Sequence, residues 1–267
     1  MAAVWPVATL RKEHDTQSEA RVPDYDFRTP RLFVDSDLGS DQTLTLDRDQ
    51  SHYLLHVLRR KMNDPVLVFN GRDGEWLGHI SDSGKKSASL TLSDQTRAQP
   101  AKGRIDFLFA PIKHARLDYL VQKAVEMGAS RIRPVMTDYT QVTRLNPERL
   151  YANMVEAAEQ CGILAVPELL PEQKLDVTLA ALDDDHTLIF CDERAEVTSP
   201  LASLQKPIKG PLAVLIGPEG GFSPEEREKI NKIQSVIRLS LGPRILRADT
   251  AAVVALALVQ STLGDIR

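Results

Sequence analysis

The chain has 267 residues, 42% of them hydrophobic and 26% charged, the balance of a soluble globular protein long enough for one large or two modest domains. A formal net charge of −4 supplies no global pull toward nucleic acid, so an RNA partner needs a local basic face. The longest apolar run, Ala248 to Leu263, is interrupted by Asp249, Thr250 and Gln260 and falls short of the roughly 20 residues of a membrane span. With no signal-like apolar segment after a basic cluster, the expected location is the cytoplasm, away from membranes.

Residues 1–27 mix charges with Pro and Gln without periodicity and are expected to form a flexible extension. Short strand-like runs follow at Arg31–Val34, Leu44–Leu46, Pro65–Phe69, Glu75–Ile80 and Ser87–Leu92, separated by Asp, Gly and Ser clusters. They predict a small barrel over 28–98, with one helix over Asp49–Lys61 between the strands. On that helix His52, His56, Arg59 and Arg60 fall at i, i+4, i+7 and i+8, opposite Leu54, Leu55 and Leu58. Such a stripe serves either as a solvated face or as a contact for an RNA backbone.

A polar stretch from Arg97 to Gly103 reads as a linker, after which strands alternate with helices through 103–267. Strands are predicted at Ile105–Ala110, Arg131–Val135, Thr187–Cys191, Leu212–Ile216 and Val236–Leu241. Helices are predicted at Arg116–Met127, Pro147–Cys161, Pro224–Lys232 and Ala248–Leu263. Apolar strands between amphipathic helices imply an α/β domain with a mostly parallel sheet flanked by helices. Tyr139 and Gln141, ahead of a basic stretch ending at Arg144, fit a substrate surface, and Tyr139 equally the core or a dimer interface, while the amphipathic helix bearing Glu156, Glu159 and Gln160 fits either packing or the site, packing being favoured. Cys161 and Cys191 have no metal-like neighbours at short spacing, so buried free thiols and no metal site are expected.

Two glycine-rich bends carry the most chemistry. Leu215-Ile216-Gly217-Pro218-Glu219-Gly220-Gly221-Phe222 leads into Ser223-Pro224-Glu225-Glu226, a complete helix start with capping serine, first-turn proline and capping-box glutamate. The second bend, Gly242-Pro243-Arg244-Ile245-Leu246-Arg247, follows Leu239-Ser240-Leu241 and opens the last helix. Both sit at a strand's carboxyl end, where open α/β sheets bind ligands, although a plain turn explains such a bend equally well. Because Ser223 and Glu226 consume the first helix mouth's donors and Glu219, Glu225 and Glu226 surround it, a phosphate is disfavoured. The chain also lacks the phosphate-loop and dinucleotide fingerprints, which weighs against a nucleotide-dependent enzyme. A cationic ligand, or one offering adenine edges to backbone groups, remains.

These residues resemble the RsmE family of small-subunit ribosomal RNA methyltransferases, which modify N3 of a uridine. The likeness rests on the first bend together with Leu239-x-Leu241-Gly242-x-Arg244-Ile245-Leu246-Arg247-x-x-Thr250-Ala251. It extends through Arg31-Leu32-Phe33, His52-x-x-x-His56-Val57-Leu58-Arg59, Lys113, Gln122-Lys123-Ala124-x-Glu126-Met127-Gly128 and Glu156-Ala157-Ala158-Glu159-Gln160-Cys161-Gly162. Met127 and Asp249 differ from the family's usual Leu and Glu, and Ile163 stands where many relatives carry Arg.

The resemblance implies a SPOUT-type methyltransferase domain with a deep trefoil knot, an N-terminal PUA-like RNA-binding barrel, and a homodimer. Periodicity does not reveal a knot, and general topology rules disfavour one. The resemblance further implies that S-adenosylmethionine lies against Leu215, Gly217, Glu219, Gly220, Gly221, Leu239, Leu241, Gly242, Ile245 and Leu246. Since uridine N3 must lose a proton, either a cation that stabilises the resulting anion, for which Arg247 is the candidate, or a base that accepts the proton, for which Glu219 is the candidate, is expected. The expected RNA face comprises Arg31, His52, His56, Arg59, Arg60, Lys113, Arg116 and Lys123. A non-catalytic RNA-binding module shares the barrel but leaves the paired bends unexplained.

Overall fold

The computed structural model describes residues 26, 28–84, 87–182, 185–196, 199–205, 208 and 210–266; the extension expected over 1–27 lies outside them apart from Asp26. Strands β1 (Arg31–Phe33), β2 (Thr43–Thr45), β3 (Pro65–Phe69), β4 (Glu75–Ser83) and β5 (Ala88–Arg97) form a sheet in the order β1-β3-β4-β5-β2. Only β1 and β3 run parallel within it. Alternating positions of β5, including Ala88, Leu90 and Leu92, turn into a core with Leu32, Val66, Val68 and Ile80, the period of two that a one-sided sheet requires.

Helix α1 (Arg48–His52) opens with a capping box between Asp47 and Gln50. The single helix expected over Asp49–Lys61 is not what forms. The chain continues as a π-helical turn, Tyr53–Val57, and Arg59 then takes the left-handed conformation with φ 54°, which ends the helix. Apolar spacing still acts as expected, because Leu54 is fully buried in the small core and Leu55 and Leu58 pack against it.

The second sheet contains β6 (Ile105–Phe109), β7 (Ala129–Met136), β8 (Glu168–Leu169), β10 (Thr187–Cys191), β11 (Leu212–Ile216) and β12 (Val236–Leu239), with β9 (Gln173–Lys174) paired to β7. Its order is β12-β10-β11-β6-β7-β8, and every pairing is parallel. Helices α2 (His114–Glu126), α3 (Pro147–Cys161), α4 (Leu175–Ala180), α5 (Pro200–Leu204), α6 (Pro224–Asn231) and α7 (Ala248–Leu263) complete the domain. Phe107, Phe109, Val214 and Ile216 share a core with Leu120, Met154 and Leu256, while Leu108, Ala213 and Leu215 share another with Leu179, Phe222 and Ile230. Helices thus cover both faces, and burial on both sides is why these strands read as unbroken apolar runs. No helix among the described residues is long and apolar enough to cross a membrane.

A buried ionic seam joins the first sheet to the end of α3. Glu75 accepts from Arg31 Nε at 2.6 Å and from Arg97 Nη2 at 2.7 Å. The same two guanidiniums reach the end of α3, Arg31 to the Glu159 carbonyl at 3.3 Å and Arg97 to the Gly162 carbonyl at 2.9 Å, satisfying acceptors a helix terminus leaves open. Glu159 accepts in turn from the Phe33 amide at 2.8 Å. Burial pushes the Glu159 carboxyl up to about 7, against the opposing pull of that amide and of Arg31.

Candidate cofactor pocket and RNA face

Because β10 lies between β11 and β12 and all three are parallel, the chain leaves β11 and β12 at the same sheet edge, about two strand spacings or ~10 Å apart. The first bend is closed by side chains of its own and of neighbouring loops. A Cβ on Gly217 would come within 2.5 Å of the Phe222 ring, so glycine is what lets that ring fold back, buried and edge-on to Phe190 at 5.1 Å. Gly221 has φ 70° and donates to the Pro218 carbonyl at 2.9 Å, the left-handed geometry that suits glycine.

The helix mouth after this bend is capped as its residues dictate. Ser223 Oγ accepts from the Glu226 amide at 3.2 Å, and Glu226 accepts from the Ser223 amide at 2.9 Å. Glu226 also accepts from the Asp138 amide at 2.9 Å, while Ser223 Oγ donates to Asp138 at 2.6 Å. The loop after β7 is thereby fastened to the bend and sets exposed Tyr139 against Gly220. Glu219 is exposed, 3.8 Å from Arg116.

The second bend is open. Gly242 has φ 98°, and a Cβ there would meet nothing within 4 Å. Ile245 is 92% exposed, and Leu241 and Leu246 are half-buried beside it. Arg247 occupies the N-cap position of α7 without a side-chain cap. It is exposed, and the Asp249 carboxylate beside it accepts from the Thr250 amide at 2.8 Å. Leu215 and Leu239 are fully buried and present only main-chain groups to the edge.

Between the bends, Asp192 follows β10. It accepts from Arg227 of α6 and from Arg238 of β12, and Arg227 also pairs with Glu193. The sequence reading missed this cluster; a carboxylate directly after an apolar strand was its only signal. Among the described residues no His, Cys, Asp and Glu side chains gather in a group of three or more that could hold a metal ion.

The expected RNA face is only partly assembled. Arg31 is 7% exposed and committed to Glu75 and α3, so it is corrected from an RNA contact to a brace of the seam: charge is visible in sequence, but its partner 44 residues away is not. His52 and His56 are exposed with ring centroids 5.2 Å apart. Arg59 points from the left-handed turn and half-buried Arg60 donates to the Arg28 carbonyl at 3.3 Å, so the four do not form one helical stripe. Lys113 is exposed at the start of α2. Arg116 faces Glu219, and Lys123 pairs with Glu126 at 2.7 Å beneath Tyr119.

A family model described as RNA methyltransferase domain matches residues 99–260, and one described as RNA methyltransferase PUA domain matches 46–93. Ribosomal RNA small subunit methyltransferase E of Rickettsia conorii is 31% identical over 232 residues, covering 86% of this chain and 94% of its own length. The chain belongs to the small-subunit ribosomal RNA methyltransferase E family. The methyltransferase E of Mycobacterium tuberculosis is 34% identical over 85% of this chain and 90% of its own. Among solved structures, methyltransferase E from Neisseria gonorrhoeae bound to S-adenosyl methionine superposes with a TM-score of 0.78 at 26% identity, covering 87% of this chain and 97% of that one. A putative methyltransferase from Legionella pneumophila in complex with the same cofactor gives 0.76 at 28% identity over 88% and 98%. Membership in the methyltransferase E family accounts for a PUA domain beside a parallel sheet with flanking helices.

Proposed function

We propose that this chain uses S-adenosylmethionine to methylate N3 of a uridine in 16S ribosomal RNA, as a cytoplasmic homodimer whose two bends belong to a deep trefoil knot. In this reading residues 28–98 are the RNA-binding barrel and 103–267 the catalytic domain. The observation that carries it is the pair of glycine bends leaving one sheet edge on either side of β10, the position where open sheets take ligands.

The residues present fit that cofactor. Main-chain groups of Leu215, Gly217, Glu219, Gly220, Gly221, Leu239, Leu241 and Gly242 line the edge, and Ile245 and Leu246 supply apolar cover for a flat ring beside the unfilled space at Gly242. Glu219 and Glu225, both exposed, suit a positive ligand. When bound, S-adenosylmethionine supplies a methyl group already activated on a sulfonium.

The chain's own part is to align the uridine and take its proton. Glu219 would accept the N3 proton and Arg247 would stabilise the uridine anion, freeing an electron pair on N3 for the methyl carbon, whose bond to the sulfonium would break with its electrons kept by sulfur. Alignment contributes on the order of 7 kcal/mol in well-ordered sites. His52, His56, Arg59, Arg60, Lys113, Arg116 and Lys123 hold the RNA backbone, so affinity falls steeply with salt.

The test is labelled methyl transfer to small-subunit particles from cells lacking the enzyme, followed by nucleoside analysis. N3-methyluridine is the expected product. Label in another nucleoside overturns the assignment of the target atom, and no transfer by a protein that binds the particle overturns the enzyme reading.

A further inference from the structure

Asp192 lies where neither bend reaches alone. It is the first residue beyond β10, the strand between the two that open the bends, and it is 3% exposed. One carboxylate oxygen accepts from Arg227, on the helix the first bend opens, and from the Arg194 amide at 3.0 Å. The other accepts from Arg238 Nε at 3.1 Å and Nη2 at 2.7 Å, on the strand that runs into the second bend. Its own amide donates to the Leu239 carbonyl at 3.2 Å.

Arg227 carries the link into the first bend. Its Nε donates to the Phe222 carbonyl at 3.3 Å and its Nη2 pairs with Glu193. Gly221 lies directly over that pair: a Cβ there would sit 2.7 Å from Glu193 Oε1 and 3.4 Å from Arg227 Nη2. Two carboxylates and two guanidiniums balance in charge. Burial acts to raise the Asp192 carboxyl, but hydrogen bonds from the Arg194 amide, Arg238 and Arg227 outweigh it and hold the group below its ordinary value. A buried charge with partners on both sides is costly to release from either.

We infer that Asp192 is a positioning residue that couples the two bends through Arg227 and Arg238, so that order in one is transmitted to the other. This rests on the proposed function only for the identity of the ligand. The coupling itself is a property of the unliganded chain, and linkage requires it to act in both directions.

The experiment measures main-chain hydrogen exchange at Gly221 and Gly242, whose amides donate to the Pro218 carbonyl and to Ser240 Oγ respectively. In the full-length protein, Arg238→Ala is expected to speed exchange at Gly221, across β10 from the substitution, by about tenfold. Arg227→Ala is expected to speed exchange at Gly242 comparably, and Asp192→Asn to do both. Arg238 is 44% exposed, so its variant keeps the test valid where Asp192→Asn fails to fold. Effects confined to the bend nearest each substitution overturn the inference.

A second readout is S-adenosylmethionine affinity by calorimetry. Asp192→Asn and Arg238→Ala are each expected to weaken it by about tenfold, with the double variant no weaker than Asp192→Asn because both cut one link. RNA affinity stays within about twofold, since misplacement is confined to the cofactor edge. Losses that multiply in the double variant overturn the coupling. Failure of the unaltered protein to bind the cofactor overturns the proposed function instead, and the cross-bend exchange then still decides the role of Asp192.

Discussion

The two bends leave the same sheet edge but are built in opposite ways. Every glycine of the first faces a near neighbour: the Phe222 ring, Tyr139, or the Glu193 carboxylate. Its helix mouth is capped twice over, within α6 and across to Asp138. In the second, Gly242 faces open space, Ile245 stands in solvent and α7 begins without a side-chain cap. A wall made in advance and a flap with few contacts divide the work of a binding site. The wall supplies preorganisation, and the flap draws on the low local stability that lets a segment close over a ligand. Substitutions in the wall should therefore register in unfolding, and those in the flap in ligand binding and turnover.

The largest effect expected from the wall is that of Phe222→Ala. Removing a buried ring that packs edge-on to Phe190 and against Gly217 should cost about 3–5 kcal/mol of stability, read as a drop in the denaturation midpoint without cofactor. A loss near that of a surface substitution breaks the contrast. From the flap, Arg247→Ala should lower single-turnover methyl transfer by roughly 10²–10³-fold and leave both stability and S-adenosylmethionine affinity nearly unchanged. Unaltered turnover removes Arg247 from the chemistry.

The domain seam is closed like the wall, so its signature should be pH-dependent stability. Glu159 is shifted from 4.5 to about 7, first by burial and further by Glu156, with the Phe33 amide and Arg31 opposing. Its folded value lies above its unfolded one, so the native state binds more protons between these limits, and stability falls as pH rises from about 4.5 to about 7. Glu159→Gln keeps an acceptor for Phe33 and removes the titration. It should flatten that slope and raise stability at pH 8 relative to the parent, on the order of 1–2 kcal/mol. Denaturant titrations across this range test it, and an unchanged slope places the titration elsewhere.

The same division marks what the sequence made legible. Strands β6, β10 and β11 stood out because helices cover both faces, and the Ser223–Glu226 helix start formed as its residues dictate. Strands β8 and β9 were missed because two residues carry no period. The π-helical turn escaped because Leu54, Leu55 and Leu58 fit ordinary helical spacing while Arg59 gives no sign of its left-handed backbone. For charged residues, type alone misleads. Arg31 and Arg59 look alike as cations, yet one is locked against Glu75 and the other is exposed. Asp192 required the strand order, since only the insertion of β10 between β11 and β12 makes a carboxylate at its end a bridge.

The smallest expected effect sharpens the contrast most, because it belongs to the flap alone. Ile245 is 92% exposed, so in the unliganded protein Ile245→Ala should change stability by no more than about 0.5 kcal/mol. If the side chain closes over the adenine ring, the truncation gives up about 1 kcal/mol of apolar burial in the complex, a loss of roughly fivefold in S-adenosylmethionine affinity. The two measurements discriminate because they share one substitution. A stability loss without ligand means that the second bend is packed in solution, against a second copy of the chain, and sedimentation at falling concentration will then show Ile245→Ala dissociating first. An unchanged affinity means that Ile245 stays in solvent when the cofactor binds, leaving Leu246 and the main chain to cover the ring.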